Sequence, residues 1–391
     1  MCDMKNGRKK VVVVAGTRPE VIKMVPVYRA LKELDGVEVS FVSTAQHRQM
    51  LDQAMSIFGI KSDIDMNVMR PGQSLNSLMS RLMASWDNYF LDVKPDVILV
   101  QGDTTTVLAT AIAAFHMGVK IGHVEAGLRT FNMHSPFPEE MNRRLTDPLS
   151  DWCFAPTSNN VKNLEKDGIL PERCFVTGNT VIDSLLWMRE KLRLDGVCET
   201  ALAKRCAIPE EFSHRYFKGS SPWILVTGHR RENFGKGFNN LCTALKALSE
   251  KYPDVGILYP VHLNPNVTEP VYRMLSGCKN VALIPPVGYE DFIWLMDKCS
   301  FVISDSGGVQ EEAPSLGKPV IVTRDTTERP EGVEVGTCVL VGTDPDKIVR
   351  EASLLVSDSA EYARRSSLKN PYGDGNAARR IAKILEESIC K

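Results

Sequence analysis

Acidic side chains stand at three points of the chain where proton-transfer groups could be placed. Asp103 ends the segment "DVILVQGD", Glu125 ends "VKIGHVE", and Glu139 follows two prolines in "SPFPEE". Carboxylates that approach one another repel, which separates their pKa values and lets one act as acid and another as base. We therefore predict an acid/base site built from these three residues. The alternatives are a helix cap for Asp103 and an ordinary helix-dipole partner for Glu139.

The segment "SDSGGVQEEAPSLGKPV", residues 304–320, is typical of a phosphate-binding turn. We predict a turn from Ser304 to Gly308, in which Gly307 and Gly308 leave backbone N–H groups free to reach a phosphate, and a helix from Val309 onward. Glu312 would lie one helical turn further, where a carboxylate suits a pair of ribose hydroxyls. A simple helix cap is the alternative, although two glycines are more than a cap requires.

Two basic segments predict contacts with a negatively charged ligand. In "VTGHRRENFGKGF", residues 226–238, the two arginines after His229 can clamp a diphosphate. His229 itself is predicted to be an acid or base, or a hydrogen-bond partner of a departing phosphate, with a structural histidine as the alternative. The first turn, "GTRPEVIKM" at residues 16–24, has Arg18 and Lys23 where a dinucleotide-binding turn would carry G-x-G-x-x-G.

The elements that position these segments follow from the apolar pattern. Strand-like runs alternate with helical spacing, first within residues 10–157 and again within residues 223–324, which predicts parallel sheets covered on both faces. We predict two Rossmann-like α/β domains. The first covers residues 1–179, with a C-terminal helix at 374–391 packing back on it, and the second covers residues 180–373. Because ligands bind beyond the carboxyl ends of parallel strands, we expect the polar segments to face one cleft.

The composition narrows the class of protein. The 391 residues are 43% hydrophobic and 24% charged, with a net charge of −1, so no bulk field attracts nucleic acid or anionic membrane. No apolar run approaches the roughly 20 residues that span a bilayer, and the run near the start is shorter than a signal-peptide core. The ten cysteines include no C-x-x-C pair. We expect a cytoplasmic protein with reduced cysteines and no required metal.

Nearly the whole chain, from residue 11 to about 380, resembles the non-hydrolysing UDP-N-acetylglucosamine 2-epimerases. The motifs that carry the resemblance are, in order, "GTRPEVIKM", "TAQHRQMLDQ", "QGDTTT", "HVEAGLRT", "SPFPEEMNR", "TGNTVID", "TGHRREN", "SDSGGVQEEAPSLGKPV" and "RDTTERPE". Each motif alone is modestly specific, whereas the ordered set is highly specific. The resemblance implies a two-domain fold of the glycosyltransferase-B type, a homodimer, and interconversion of UDP-GlcNAc and UDP-ManNAc without a metal or nicotinamide cofactor.

The same resemblance implies roles for individual residues. Arg18 and Lys23 would bind the diphosphate. Glu312 would bind the ribose and the backbone of Phe292 the uracil, and the phosphate-binding turn would consist of Ser306, Gly307 and Gly308. The catalytic candidates are Asp103, Glu125, Glu139 and His229. UDP would leave from C1 to give 2-acetamidoglucal and would return after protonation at C2, with ManNAc supplied for surface polysaccharide. The sequence leaves open which carboxylate is acid and which is base.

Some members of the family bind a second UDP-GlcNAc as an activator, and Gln46, Gln49 and His262 match that site. An arginine that some of those members carry is absent, because Gly72 stands at its place with Arg70 nearby. The sequence also leaves open a modified UDP-HexNAc substrate, with a 3-acetamido or uronic acid group, and a sugar transferase of the same fold. The acid/base set argues against a nucleotide-sugar sensor without catalysis, and release of free ManNAc would reveal a hydrolysing epimerase.

Overall fold

The chain forms two compact α/β units, each with its own parallel sheet. The structure is a computed structural model that describes residues 7–44, 48–70, 72–219 and 221–389. Unit 1 comprises Met1–Ser184 and Tyr372–Lys391, and unit 2 comprises Leu185–Pro371. The α/β class with two parallel sheets, predicted from the alternating pattern, is confirmed.

The sheet of unit 1 is built around a buried first strand. Its strands are β1 (Lys9–Ala15), β2 (Val37–Ser43), β3 (Ile64–Asp65), β4 (Val97–Gln101), β5 (Lys120–Val124), β6 (Trp152–Ala155) and β7 (Cys174–Val176). In the described part of the unit they form one sheet in the order β3-β2-β1-β4-β5-β6-β7. The valines from Val11 to Val14 are at most 3% exposed, as expected for a β-branched run covered on both faces.

The sheet of unit 2 has the same kind of order. Its strands are β8 (Trp223–Thr227), β9 (Gly256–Pro260), β10 (Val281–Ile284), β11 (Phe301–Ser304), β12 (Val320–Val322) and β13 (Cys338–Leu340). Among the described residues they pair as β10-β9-β8-β11-β12-β13. In each sheet the chain order reverses beside the first strand, between β1 and β4 and between β8 and β11. Open parallel sheets bind ligands in the crevice at this reversal, beyond the carboxyl ends of the strands.

Helices cover both sheets. Those before residue 200 are α1 (Arg18–Lys32), α2 (Arg48–Ile57), α3 (Leu75–Asp92), α4 (Thr105–His116), α5 (Glu139–Leu149), α6 (Ser158–Lys166), α7 (Thr180–Asp195) and α8 (Glu199–Arg205). The remaining helices are α9 (Glu210–Phe212), α10 (Lys236–Lys251), α11 (Pro265–Leu275), α12 (Tyr289–Lys298), α13 (Gly307–Glu312), α14 (Pro330–Val335), α15 (Pro345–Ser357), α16 (Ser359–Ser366) and α17 (Ala377–Ile389). Single turns of other helix types cover Pro171–Arg173, Ser213–Phe217, Arg231–Asn233 and Ala313–Leu316.

Three short strands were not predicted from the sequence. β3, β7 and β13 have two or three residues each and lie at the edges of their sheets. Such segments are too short to show an alternating or continuous apolar pattern, so only pairing with a neighbour defines them as strands. The ten remaining strands lie, to within one residue, in the two regions of residues 10–157 and 223–324 where strand-like runs were predicted.

The last helix belongs to unit 1 and is capped from α7. The carboxylate of Asp183 accepts hydrogen bonds from the backbone N–H groups of Ala377 and Ala378, at 3.2 and 2.9 Å. These groups begin α17, so Asp183 supplies acceptors that the helix itself lacks. Burial raises the pKa of Asp183 to about 6, although these backbone hydrogen bonds oppose the rise.

Candidate active site

In unit 1 the turns that follow β1 and β4 are joined by one carboxylate. Glu20 and Thr17 form a capping box at the start of α1, and the Glu20 carboxylate also accepts from the backbone N–H of Gly16 at 2.5 Å. The hydroxyl of Thr104 donates to the other oxygen of Glu20 at 2.7 Å. Thr104 follows Asp103, so Glu20 connects the turn that contains Arg18 with the turn that contains Asp103. The side chain of Arg18, the first residue of α1, is half-buried.

Asp103 is held by α5. Nη2 of Arg143 lies 2.7 Å from a carboxylate oxygen of Asp103, and Nδ2 of Asn142 donates to the Asp103 carbonyl oxygen at 2.8 Å. The Asp103 side chain keeps 27% of its surface exposed. Limited access to water raises the pKa of this carboxyl, the charges of Glu125 and Glu139 add to the rise, and Arg143 and Lys23 oppose it. A partly exposed carboxyl with a raised pKa is suited to proton transfer near neutral pH.

Glu125 has a different environment, because its carboxylate is surrounded by donors. Nζ of Lys23 lies 2.6 Å from both carboxylate oxygens, and Nδ2 of Asn179 lies 3.3 Å from one of them. Nε2 of Gln101 donates to the other oxygen. The Glu125 backbone has φ of 69°, in the left-handed region that residues other than glycine rarely adopt. This contact pattern is that of an ionised carboxylate that orients a lysine.

The two glutamates at the start of α5 have separate roles. Glu139 is half-buried, and its charge contributes to the raised pKa of Asp103. Glu140 is fully buried and accepts from the backbone N–H groups of Thr130 and Phe131, both at 3.0 Å. Glu139 is therefore the candidate for proton transfer, whereas Glu140 holds the preceding loop by its two hydrogen bonds.

In unit 2, His229 is held by the buried Asp305. The Asp305 carboxylate accepts from the backbone N–H groups of His229 and Arg230, at 3.0 and 2.9 Å, and is 3.7 Å from Nδ1 of the His229 ring. The ring of His229 stacks on that of His262, with centroids 5.7 Å apart and planes at 22°. Burial lowers the pKa of His229, Asp305 opposes this, and Arg230 and His262 lower it further. A neutral imidazole is thereby favoured, which can accept a proton.

The segment after β11 differs from the prediction in one respect. The helix begins at Gly307, with Ser306 as the N-cap residue, so the predicted start at Val309 is wrong by two residues. Glycine has low helix propensity, and the tertiary environment overrides it here. Gly307 is packed so closely that an added Cβ would lie 2.6 Å from the Arg329 guanidinium, whereas one on Gly308 would meet nothing nearer than 3.8 Å.

Arg329, which belongs to the motif "RDTTERPE", lies beside the predicted phosphate-binding turn. Its Nε is 2.7 Å from the carboxylate of Glu311 and its Nη1 is 3.2 Å from that of Glu328. Glu312, the next residue after Glu311, is 9% exposed. The turn therefore combines two glycines, a guanidinium and a carboxylate, which are the groups that diphosphate and ribose recognition require.

For several residues with a predicted role, the structure gives few contacts that bear on that role. Phe292 lies in α12, where its backbone N–H donates to the Gly288 carbonyl oxygen at 2.9 Å. Gln46 lies outside the described residues, as does the side chain of Gln49. Gly72 has φ of 67°, which favours glycine at that place. Among the residues that the structure describes, no cluster of three His, Cys, Asp or Glu side chains could hold a metal ion.

Comparison with known proteins decides the family. The family model for UDP-N-acetylglucosamine 2-epimerase matches residues 29–386. The UDP-N-acetylglucosamine 2-epimerase of Salmonella typhimurium is 48% identical over 377 residues, which cover 96% of this chain and 98% of that protein. The chain belongs to the UDP-N-acetylglucosamine 2-epimerase family. It is accordingly an enzyme, and the recognition made from the ordered motifs is confirmed.

Solved structures support the same assignment. A UDP-GlcNAc 2-epimerase from Neisseria meningitidis, bound to UDP-GlcNAc, is 45% identical, has a TM-score of 0.86 and matches 97% of this chain and 100% of its own. The glycotransferase of kitacinnamycin is 12% identical, with a TM-score of 0.61, and matches 98% of this chain and 100% of its own. That second likeness concerns the fold alone. The enzyme thus has the predicted glycosyltransferase-B type of fold.

The structure adds residues to the enzyme's candidate site that the motifs did not single out. These are Gln101 and Asn179 at Glu125, Arg143 at Asp103, and Asp305 at His229. Gln101 and Asp305 are polar residues at the ends of apolar strands, a signal visible in the sequence. Arg143 carries no such signal, because it lies inside a helix with other charged residues. No helix in the described ranges is long and apolar enough to cross a membrane.

Proposed function

We propose that the enzyme interconverts UDP-GlcNAc and UDP-ManNAc by eliminating UDP and adding it back. The hydrogen at C2 is not acidic, because its carbon bears an amide nitrogen and has no adjacent carbonyl. UDP leaves from C1 with the bonding electron pair, an oxocarbenium-like centre forms, and a base then removes the C2 proton. The products are 2-acetamidoglucal and UDP. A proton delivered to the other face of C2 and attack of the UDP oxygen at C1 give the epimer.

The observation that carries this proposal is the contrast between Asp103 and Glu125. Asp103 is partly exposed and has a raised pKa, so it can exchange a proton. Glu125 accepts hydrogen bonds from Lys23, Gln101 and Asn179, so its oxygens are occupied. We assign the C2 proton to Asp103 on one face and to Glu139 on the other. Glu125 then keeps Lys23 in place for the departing diphosphate.

We assign the UDP moiety to groups of unit 2, and the family resemblance separately implies Arg18 and Lys23 as ligands of the diphosphate. The turn Ser306, Gly307, Gly308 and the guanidinium of Arg329 supply donors for the diphosphate. Glu312 would accept from the ribose hydroxyls, and the backbone of Phe292 would contact uracil. His229, with its lowered pKa, would exchange a proton with the departing phosphate. The bound UDP-GlcNAc of the Neisseria meningitidis relative supports this choice of ligand.

Further predictions follow from the family resemblance. They are a homodimer, a cytoplasmic location, a role in supplying ManNAc for surface polysaccharide, and activation by a second UDP-GlcNAc at Gln46, Gln49 and His262. His262 stacks on His229, so a ligand at His262 would also affect the candidate catalytic histidine. Sedimentation velocity tests the dimer, and the dependence of rate on UDP-GlcNAc concentration tests activation. A panel of 3-acetamido and uronic acid nucleotide sugars tests the alternative substrates.

The reaction is tested by incubating the enzyme with UDP-GlcNAc in deuterium oxide and observing C2 by NMR. We expect UDP-ManNAc to appear and solvent deuterium to enter C2 of both nucleotide sugars. Asp103→Asn should retain UDP binding and lose turnover by roughly 10²–10⁴-fold. Free ManNAc accumulating in step with UDP would indicate hydrolysis instead. Absence of both deuterium exchange and product would contradict the proposal.

A further inference from the structure

The ring of His123 makes two short contacts in the interior of unit 1. His123 lies on β5 and its side chain is fully buried. Nδ1 is 2.6 Å from a carboxylate oxygen of Asp147 on α5, and Nε2 is 2.7 Å from the carbonyl oxygen of Gly102 after β4. Both distances are those of hydrogen bonds.

Both partners of the ring are acceptors. A carbonyl oxygen has no proton to donate, so Nε2 must be the donor to Gly102. Burial raises the pKa of the Asp147 carboxyl, but the guanidinium of Arg129, which is charged whatever the state of His123, donates to the second Asp147 oxygen at 2.5 Å and lowers that pKa. Asp147 is therefore ionised and also accepts. A neutral imidazole has one N–H, and would place a lone pair against an oxygen at one of these contacts.

We propose that His123 is held as a doubly protonated imidazolium and that this cation is the positioning residue for the turn that contains Asp103. Gly102 has φ of 80° and immediately precedes Asp103. The imidazolium holds the Gly102 carbonyl, while Asn142 and Arg143 hold the Asp103 carbonyl and carboxylate. Asp147, on the same helix as these two, holds the imidazolium. Helix α5 thus supports the turn that contains Asp103 directly through Asn142 and Arg143, and indirectly through Asp147, which holds His123.

The charged and titratable groups around His123 are compatible with a cation. Arg129 places Nη2 2.5 Å from the second oxygen of Asp147 and is paired through Nε with Asp167 at 2.7 Å. Cys153 on β6 is the register partner of His123, and burial raises the pKa of its thiol, so it stays neutral. Glu125, at the end of β5, lies beside Gly102 and is paired with Lys23. Asp147 and Asp167 oppose the charges of His123 and Arg129, and Glu125 opposes that of Lys23. Asp167 also pairs with Arg144 at 3.2 Å.

The protonation state is measured on the unmodified enzyme by ¹⁵N NMR of labelled histidine. The spectrum is recorded at about pH 9, where an imidazole free in water has only one protonated ring nitrogen. We expect the His123 ring, assigned by the loss of its signals in His123→Gln, to show two protonated ring nitrogens at that pH. A neutral His123 ring would overturn the inference. This measurement does not depend on the proposed reaction.

The positioning role rests on the proposed function of Asp103 and is tested by kinetics. We expect His123→Gln to lower kcat by about tenfold to a hundredfold with KM little changed, and the matched surface control His116→Gln to leave both unchanged. If His123→Gln does not fold, kcat of the unmodified enzyme is followed to higher pH and should fall as the second N–H signal disappears. A normal kcat in folded His123→Gln would refute the positioning role. A kcat that stays constant while the second N–H signal of His123 disappears would also refute it. Failure of C2 exchange in the unmodified enzyme would instead refute the proposed reaction.

Discussion

The guanidinium of Arg143 lies 2.7 Å from the carboxylate of Asp103, and its Nε and Nη1 atoms are buried without hydrogen-bond partners among the described residues. The longer ion pair from Nη1 to Glu140 spans 3.7 Å. The strongest interaction of this buried cation is therefore with Asp103. Burial raises the pKa of Asp103, and the charge of Arg143 opposes that rise. Arg143 therefore makes the Asp103 carboxyl more acidic than burial alone would.

Removing the charge of Arg143 should raise the pKa of Asp103 further. We expect Arg143→Met to shift the pH dependence of kcat/KM toward higher pH, because a larger share of Asp103 is then protonated at any given pH. Arg143→Lys keeps a positive charge and should shift the profile less. The profile is measured by deuterium entry at C2. An unshifted profile in an active Arg143→Met enzyme would assign the titrating group elsewhere.

The pair formed by Lys23 and Glu125 should behave as a buried ion pair. Their side chains are 15% and 5% exposed, so Glu125→Gln leaves an uncompensated ammonium and should destabilise unit 1 by about 3–5 kcal/mol. Adding Lys23→Met removes that charge, so the double variant should recover part of the lost stability. Both the single and the double variant should be inactive. Urea unfolding measures the effect. Purely additive losses would mean that the two charges do not stabilise each other.

The two glycines of the phosphate-binding turn should respond differently to alanine. Gly307→Ala places a methyl group 2.6 Å from the Arg329 guanidinium and must displace it from Glu311. Gly308→Ala adds a methyl group with ordinary contacts and serves as the matched control. We expect UDP affinity, measured by calorimetry, to fall about tenfold or more for Gly307→Ala and much less for Gly308→Ala, since one charged hydrogen bond contributes about 1.5–3 kcal/mol. Equal affinities would exclude Arg329 from UDP binding.

Glu312 is proposed to accept from the ribose hydroxyls. Glu312→Gln keeps one acceptor and introduces a donor, so UDP affinity should fall roughly tenfold to a hundredfold. In titrations, 2′-deoxy-UDP should bind the unmodified enzyme more weakly than UDP and be much less sensitive to the substitution. If the losses from the deoxynucleotide and the substitution simply add, the 2′-hydroxyl does not contact Glu312 and Glu311 becomes the candidate.

Asp183 should make stability depend on pH. Its pKa is raised from 3.8 to about 6 in the folded chain, so between these values the folded state binds more protons than the unfolded state. Stability relative to Asp183→Asn should therefore fall as pH rises through this window, by about 3 kcal/mol in total. Asp374 provides a control of opposite sign, because its hydrogen bond with Arg380 lowers its pKa. A difference between the enzyme and Asp183→Asn that does not change with pH would show that Asp183 is not desolvated.

The local sequence pattern determined the core strands of this protein, the strand-end positions of its candidate site residues and its family. The run Val11 to Val14 is buried on both faces of a parallel strand, and a continuous β-branched segment indicates that environment without knowledge of its neighbours. The strand-end positions of Asp103, Glu125 and His229 follow equally from the sequence, since a polar residue that ends an apolar run must lie at the sheet edge. The ordered motifs were sufficient to recognise the family.

Tertiary structure alone decided which groups meet. Arg143 is 40 positions from Asp103 in the sequence and Asn179 is 54 from Glu125, and no periodicity links residues so far apart. The start of α13 at Gly307, against glycine's low helix propensity, likewise depends on surrounding contacts. The protonation state of His123 also depends on tertiary structure, because the two acceptors of its ring come from α5 and from the turn after β4. Sequence specifies the type of each side chain, whereas its charge state depends on the neighbours that folding supplies.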